Sequence, residues 1–356
     1  MPPGRCGDPV SAVRRLLIAN HRWWYPTLVN GQDVANHEFA RRLARSGVEV
    51  RVHGMVAPLV DGTTRQRSYF TDGVKVSLVQ SDFIRCLSAT IEDFRPDVVM
   101  TSSPEGACGG EDIHRMMSLF DHYGIPVVLY VHTLHPVLSL FRTLKDQLAA
   151  VVTNSNYMAE KITETWNRRA EVIYPVPSSR TFRVSEQSGP FITFFNPLPH
   201  KGLHIVQELV SGRFKHRSFL FVEGFMEPES YGVALVRSGN VVHARRSPDV
   251  AAVYLMTNML LIPSQWEEPF GRVALEAMYN RIPVIASNTG GLKDSVGSGG
   301  LLIDDFTSVD AWADAIERMD DPVFREEIVN AGSRHIEMFS VEQQIAQFKE
   351  VFDRLV

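Results

Sequence analysis

The chain has 356 residues, 44% of them apolar, and a formal net charge of −5. That length exceeds what one hydrophobic core ordinarily organises, so two domains are expected. The slightly negative charge gives no support to a polyanion-binding protein, and no nucleic-acid partner is expected. Cys6, Cys86 and Cys108 are odd in number and show no C-x-x-C spacing. This argues against a disulfide framework or a zinc ribbon and fits a reducing compartment. Met1–Val10 contains no apolar signal core, and no run reaches the ~18–20 apolar residues of a membrane span. A cytoplasmic protein without integral membrane association is expected.

Leu16–Ala19 is a short apolar run, read as the first strand of a buried parallel sheet. A loop carrying Trp23, Trp24 and Tyr25 follows, then a helical pattern from Val34 to Arg45 and an alternating strand, Val48–Val52. This strand–loop–helix–strand order is the grammar of a nucleotide-binding domain. Gly31, just ahead of the helix, would let the backbone approach a diphosphate closely. The adjacent tryptophans have two readings of equal weight. Either one anchors the loop while the other fills an interdomain gap, or Trp23, Trp24 and Tyr25 form a platform for the apolar face of an acceptor sugar.

Further strands are expected at Val74–Val79, Val98–Thr101, Val127–Val131, Ala149–Thr153 and Glu171–Tyr174. The loop after Thr101 carries Glu105, Glu111 and Asp112 at a sheet edge where ligands bind, which suits a cationic acceptor such as an amino sugar. Acidic loops of this kind more commonly serve only solubility. His132 follows VVLYV directly, at the carboxyl end of a strand.

Prolines and serines around Tyr174–Ser178 mark a hinge, and a second α/β series starts at Phe191. NPLPHKGLHIV places Asn196 and Lys201 in the first turn of this second domain. A lysine opposes the helix dipole there, so a purely solvent-facing role fits it poorly. His200 and His204 are spaced i,i+4, but no third ligand accompanies them, and no metal site is expected. The chain has no G-x-G-x-x-G and no G-x4-G-K-[ST], which removes the best support for dehydrogenase and P-loop readings.

After the apolar run Met259–Ile262 comes PSQWEEPFGRVALEAM, Pro263 to Met278. Glu268 lies in the loop and Glu276 lies more than one turn inside the helix that begins near Gly271. The free N–H groups of that helix start and the two carboxylates suit a ligand with an anionic centre and hydroxyls at both ends. A sugar nucleotide has this form. Pro283–Ser287 is then read as a strand, Asn288–Gly291 as a tight turn, and the chain from Ser308 onward as helical.

The string Pro263–Met278 and its sequel Asn280–Gly291 resemble the Glu-x7-Glu signature and Gly-Gly turn of the family-4 retaining glycosyltransferases. Lys201-Gly202 resembles that family's R-x4-K-G turn, with Asn196 in place of its arginine. Asn30-Gly31 stands where the family has two glycines. The resemblance implies an α/β protein of GT-B fold, two Rossmann-like doubly wound domains facing a central cleft. Residues 1–178 would bind the acceptor and 188–338 the nucleotide sugar, with the helix 340–356 packing back onto the first domain. It implies a metal-independent enzyme with no cofactor, taking a sugar from a nucleoside-diphosphate donor to an acceptor hydroxyl. The sequence shows no basic amphipathic membrane face, so a small acceptor, as in natural-product or envelope-precursor biosynthesis, is expected.

By that resemblance His132 faces the donor sugar, and Lys201 and Glu268 complete the catalytic set. Gly31, Asn196, Pro269, Phe270, Gly271, Arg272, Val273 and Glu276 bind the donor. On the platform reading of the first loop, Trp23, Trp24 and Tyr25, with Glu105 of the acidic loop, would face the acceptor. A sugar-nucleotide epimerase on the same fold, or a non-catalytic nucleotide-sugar-binding partner protein, are the alternatives.

Overall fold

The computed structural model describes residues 13–24, 31–56, 67–102, 110–135, 137–175, 182–184, 189–224, 235, 238–245 and 250–356. Two sheets organise the chain. The first comprises β1 (Arg15–Trp23), β2 (Glu49–Met55), β3 (Arg67–Thr71), β4 (Val74–Val79), β5 (Val98–Ser102), β6 (Val127–Val131), β7 (Ala150–Thr153) and β8 (Glu171–Val172). Their spatial order is β3-β4-β2-β1-β5-β6-β7-β8. All neighbours are parallel except β3 and β4, which form a hairpin. The second sheet comprises β9 (Phe191–Phe195), β10 (Phe219–Val222), β11 (Val241–Ala244), β12 (Thr257–Ile262), β13 (Val284–Ser287) and β14 (Leu301–Ile303), ordered β11-β10-β9-β12-β13-β14.

Strands such as Val98–Ser102 and Phe219–Val222 are buried along their whole length. Helices therefore cover both faces, as near-continuous apolar strands of a parallel sheet require. On the first sheet these are α1 (Gly31–Arg45), α2 (Phe83–Phe94), α3 (Gly110–His122), α4 (Val137–Leu140) and α5 (Asn156–Trp166). On the second they are α6 (Leu203–Ser211), α7 (Val250–Met256), α8 (Arg272–Tyr279), α9 (Leu292–Ser295), α10 (Val309–Arg318) and α11 (Pro322–His335). Each sheet reverses its winding direction once, between β1 and β5 and between β9 and β12. The crevice beyond the strands' carboxyl ends at such a reversal is where open α/β sheets bind ligands. Here both crevices open on one shared cleft.

The last helix, α12 (Val341–Asp353), leaves the second domain and lies against α1 on the first sheet. Ser340 caps it, its Oγ accepting from the Gln343 N–H at 3.2 Å. Fully buried Phe348 meets Phe39 at 4.4 Å and Tyr130 at 5.3 Å between ring centroids, both edge-on. Asp353 accepts from the Val13 N–H, and Arg354 pairs with Glu171.

The domains also touch directly. Ser155 caps α5 and donates from the same hydroxyl to the Pro269 carbonyl at 2.6 Å. Asp294 accepts from both the backbone and the side-chain amide of Asn156, at 2.6 and 2.9 Å. The start of α5 is thereby fastened to the loop that carries Glu268.

Candidate active site

Two loops of the second domain build one wall of the cleft. The turn Pro199–Lys201 after β9 and the loop after β12 lie side by side, joined by the Gln265 N–H to the His200 carbonyl at 2.9 Å. Gly202, at φ 85°, makes this possible, because a Cβ there would sit 1.9 Å from the Pro263 carbonyl oxygen. The contact delivers Lys201 Nζ to Glu268 Oε1 at 2.5 Å. Ser264 donates to the same oxygen at 2.5 Å, and the Trp266 ring N–H adds a third donor to the carboxylate. Burial alone would raise the Glu268 pKa. The Lys201 charge and the three hydrogen bonds outweigh it and hold the carboxyl below its ordinary value, so Glu268 is a carboxylate. The ammonium of Lys201 lies 4.9 Å from the Trp266 ring centre, within cation–π reach.

Gly271 caps α8, and Glu276 lies one turn and more inside it. The Glu276 carboxylate accepts from Tyr254 Oη at 2.7 Å and from Arg272 Nη2 at 3.2 Å. Burial first, and then the Glu276 charge, push the Tyr254 phenol well above its ordinary pKa, so it stays a donor. The turn Gly290-Gly291 lies directly behind this loop. A Cβ on Gly291 would stand 2.2 Å from the Pro269 carbonyl, and the Gly291 N–H donates to the Glu268 carbonyl at 2.6 Å. The two glycines therefore hold the backbone of the acidic loop in place. Phe270 lines the cleft and is buried against Tyr174 and Phe339, so its side chain anchors the loop.

The first domain supplies the opposite wall. His132 stands at the carboxyl end of β6, with Nε2 3.0 Å from Asn36 Oδ1. Asn36 donates in turn to Ser102 Oγ at 2.9 Å, and the Ser102 N–H donates to Asn20 Oδ1 at 2.7 Å. This chain of buried polar groups fixes the imidazole's orientation across β1, α1, β5 and β6. Gly31 begins α1 at the cleft, and its carbonyl accepts from Arg272 Nη1 at 2.8 Å.

The cleft between these walls measures about 850 Å³. It brings together Gly31, His132, Asn196, Lys201, Glu268 and Glu276. Pro269, Phe270, Gly271, Arg272 and Val273 also line it. One expectation needs correcting. Trp24 is no acceptor platform: it is fully buried in the core beneath the first sheet, beside His37. The reason is strand length, since β1 runs on to Trp23 and keeps the chain against the sheet up to Trp24. Tyr25 and Glu105 lie outside the described residues, as does the side chain of Trp23. Of the other acids in that acidic stretch, Glu111 pairs with Arg115 and Asp112 approaches His21 at 3.6 Å.

Sequence reasoning missed Ser264, Trp266, Tyr254 and Asn36. The first two sit inside the quoted motif and could have been found there. Tyr254 and Asn36 act through contacts between distant segments, which no spacing reveals. Among the described residues, no group of three or more His, Cys, Asp or Glu is arranged to hold a metal ion.

Two Rossmann-like domains with a shared cleft, a lysine–glutamate pair and a second glutamate just past the first turn of a helix define a glycosyltransferase-like architecture. Family models match on both sides of the cleft: "Glycosyltransferase Family 4" over residues 29–176 and "Glycosyl transferases group 1" over residues 235–335. The chain belongs to the family-4 glycosyltransferases.

Among curated proteins it is similar to D-inositol 3-phosphate glycosyltransferase of Paenarthrobacter aurescens, 36% identical over 103 residues, 28% of this chain and 25% of that protein. The enzyme of the same name from Rhodococcus opacus is 40% identical over 101 residues, 27% of this chain and 22% of the relative. The matched segment thus spans about a quarter of each relative's length. Among solved structures, sucrose-phosphate synthase from Thermosynechococcus elongatus superposes with TM-score 0.78 at 17% identity, covering 96% of this chain and 99% of that one. Anabaena HepE in complex with UDP-glucose superposes with TM-score 0.73 at 16% identity, covering 94% and 98%. The fold is GT-B.

Proposed function

We propose that the protein transfers a sugar from a nucleoside diphosphate to a hydroxyl of a small acceptor, with retention of anomeric configuration and without a metal. The observation that carries this reading is the Lys201–Glu268 pair, set beside the start of α8 within a cleft that both domains line. The curated relatives named as glycosyltransferases, and the likeness to a structure titled as a UDP-glucose complex, support it.

Glu276 accepts hydrogen bonds from the ribose hydroxyls and Glu268 from the sugar hydroxyls. Lys201 and the backbone N–H groups at the start of α8 face the diphosphate, where negative charge grows as the glycosidic C–O bond breaks. His132 faces the sugar, its ring aligned by Asn36. The acceptor oxygen attacks the anomeric carbon on the face the diphosphate leaves, and a departing phosphate oxygen takes the acceptor proton. Residues of the first domain receive the acceptor.

The test is a binding and turnover screen with UDP-, GDP- and dTDP-sugars. Selective thermal stabilisation by one base, and release of its nucleoside diphosphate only when an acceptor is added, is the expected result. Release without acceptor would point to an epimerase or hydrolase instead.

A further inference from the structure

The first turn of the second domain departs from the family at one charged position, and the departure has a local cause. Asn196 adopts a left-handed backbone, φ 55°, at the end of β9. Asparagine tolerates that conformation much better than arginine does. Its side chain packs on Gly224, where an added Cβ would fall 1.3 Å from Asn196 Oδ1. Position 196 thus satisfies the backbone and brings no charge to the cleft.

A donor diphosphate has two negative charges to be matched, and Lys201 supplies one positive charge. Among the described residues, two further side chains that line the cleft carry a permanent charge of that sign, Arg41 and Arg272. Arg41 is 3% exposed on α1 of the first domain, with two nitrogens on Glu38, and it is this burial that keeps it from an incoming anion, whereas the Arg272 side chain is 17% exposed. Arg272 is placed differently. It opens α8, whose first residues line the cleft, and its stem packs on Gly31 with Cδ 3.8 Å from where a Cβ would be. Nη1 donates to the Gly31 carbonyl and Nη2 to Glu276, one anchor on each domain. A guanidinium has five N–H donors, so three remain beyond these two contacts. Held at both ends, it loses little further rotamer freedom on meeting an anion.

Resting on the donor-site reading above, we infer that Arg272 is the second diphosphate-binding cation, supplying from the start of α8 the charge that Asn196 does not. The two carboxylates of the motif are then each matched by a cation, Glu268 by Lys201 and Glu276 by Arg272. The diphosphate lies between these pairs, and because Arg272 also holds Gly31, its binding draws on the first domain as well as the second.

The experiment is titration calorimetry of the full chain with UDP, GDP and dTDP and with the matching nucleosides, on the unaltered protein, Arg272→Gln and Arg272→Lys. Circular dichroism and melting curves establish that each variant is folded. For the base that binds, Arg272→Gln should weaken the diphosphate by about tenfold or more, as loss of a charge-assisted contact does. It should leave the nucleoside within about twofold, and Arg272→Lys should fall between. Equal diphosphate affinity in Arg272→Gln would overturn the assignment while leaving the donor site standing. An equal loss for nucleoside and diphosphate would also overturn it, showing that Arg272 acts through Glu276 or domain contact. If the unaltered protein binds no nucleoside diphosphate, the donor-site reading falls and takes this inference with it.

Discussion

Lys201 and Glu268 come from different loops, 67 positions apart in the chain, and meet as a nearly buried ion pair at 2.5 Å. Among the described residues, neither forms a second ion pair. The pair sets the charge state of the site before any ligand arrives. Glu268→Gln keeps the shape and removes the charge, so transfer should fall by about a hundredfold or more while the protein stays folded. Unchanged turnover would remove Glu268 from the catalytic set. The pH dependence follows from the lowered pKa of Glu268. A depressed carboxyl stabilises the fold fully above its unfolded value and loses that contribution as the pH falls through the folded one. Melting temperatures of the two proteins should therefore differ by a constant amount at neutral pH and converge in acid.

Gly291→Ala tests the support behind that loop. Its Cβ would stand 2.2 Å from the Pro269 carbonyl, a backbone atom that cannot step aside without moving Glu268. A stability loss of about 1–3 kcal/mol is expected. Nucleoside-diphosphate affinity should drop with it, measured by calorimetry below the melting point. A variant that melts early yet binds normally would show that the acidic loop tolerates the shift.

Phe348→Ala tests the return of α12 to the first domain. Phe348 is fully buried between Phe39 and Tyr130, and truncation of such a ring costs about 3–5 kcal/mol. Urea unfolding followed by fluorescence should show a lower midpoint. A midpoint unchanged from the parent would mean the helix contributes nothing to that core.

His53 gives the fold an acid limit of its own. Burial beside Phe83 lowers its pKa to about 4 from an unfolded value of 6.5. The unfolded chain therefore takes up a proton that the folded one refuses. Stability is retained above about pH 6.5 and declines as the pH falls towards 4, by about 3 kcal/mol in all. His53→Leu should flatten that limb of a Tm-against-pH curve. An identical curve would place the acid sensitivity elsewhere.

Most of the parallel strands were legible because they are short β-branched or apolar runs, and β2 because its apolar residues alternate. The Glu-x7-Glu loop was legible because its two acids straddle a helix start. The hairpin β3–β4 was not anticipated, since Arg67–Thr71 is polar and its Phe70 is 73% exposed at the sheet edge. A signal was there to be read: Asp72-Gly73, both with positive φ, is a two-residue hairpin turn. The burial of Trp24 was missed because the apolar part of β1 ends at Ala19 while the strand continues past polar residues to Trp23, directly before it. The Asn20–Ser102–Asn36–His132 chain was beyond reach, since each member comes from a different element and none is unusual where it stands.

The return of α12 has a consequence for synthesis. The sheet made first depends on Phe348 and Phe352 for part of its apolar cover, and those residues leave the ribosome after the whole second domain has been made. A nascent chain stalled before Val341 exposes the flank of α1 that these rings cover. The earliest domain to emerge is thus the last to be sealed, and chaperone contact during translation should concentrate on that flank.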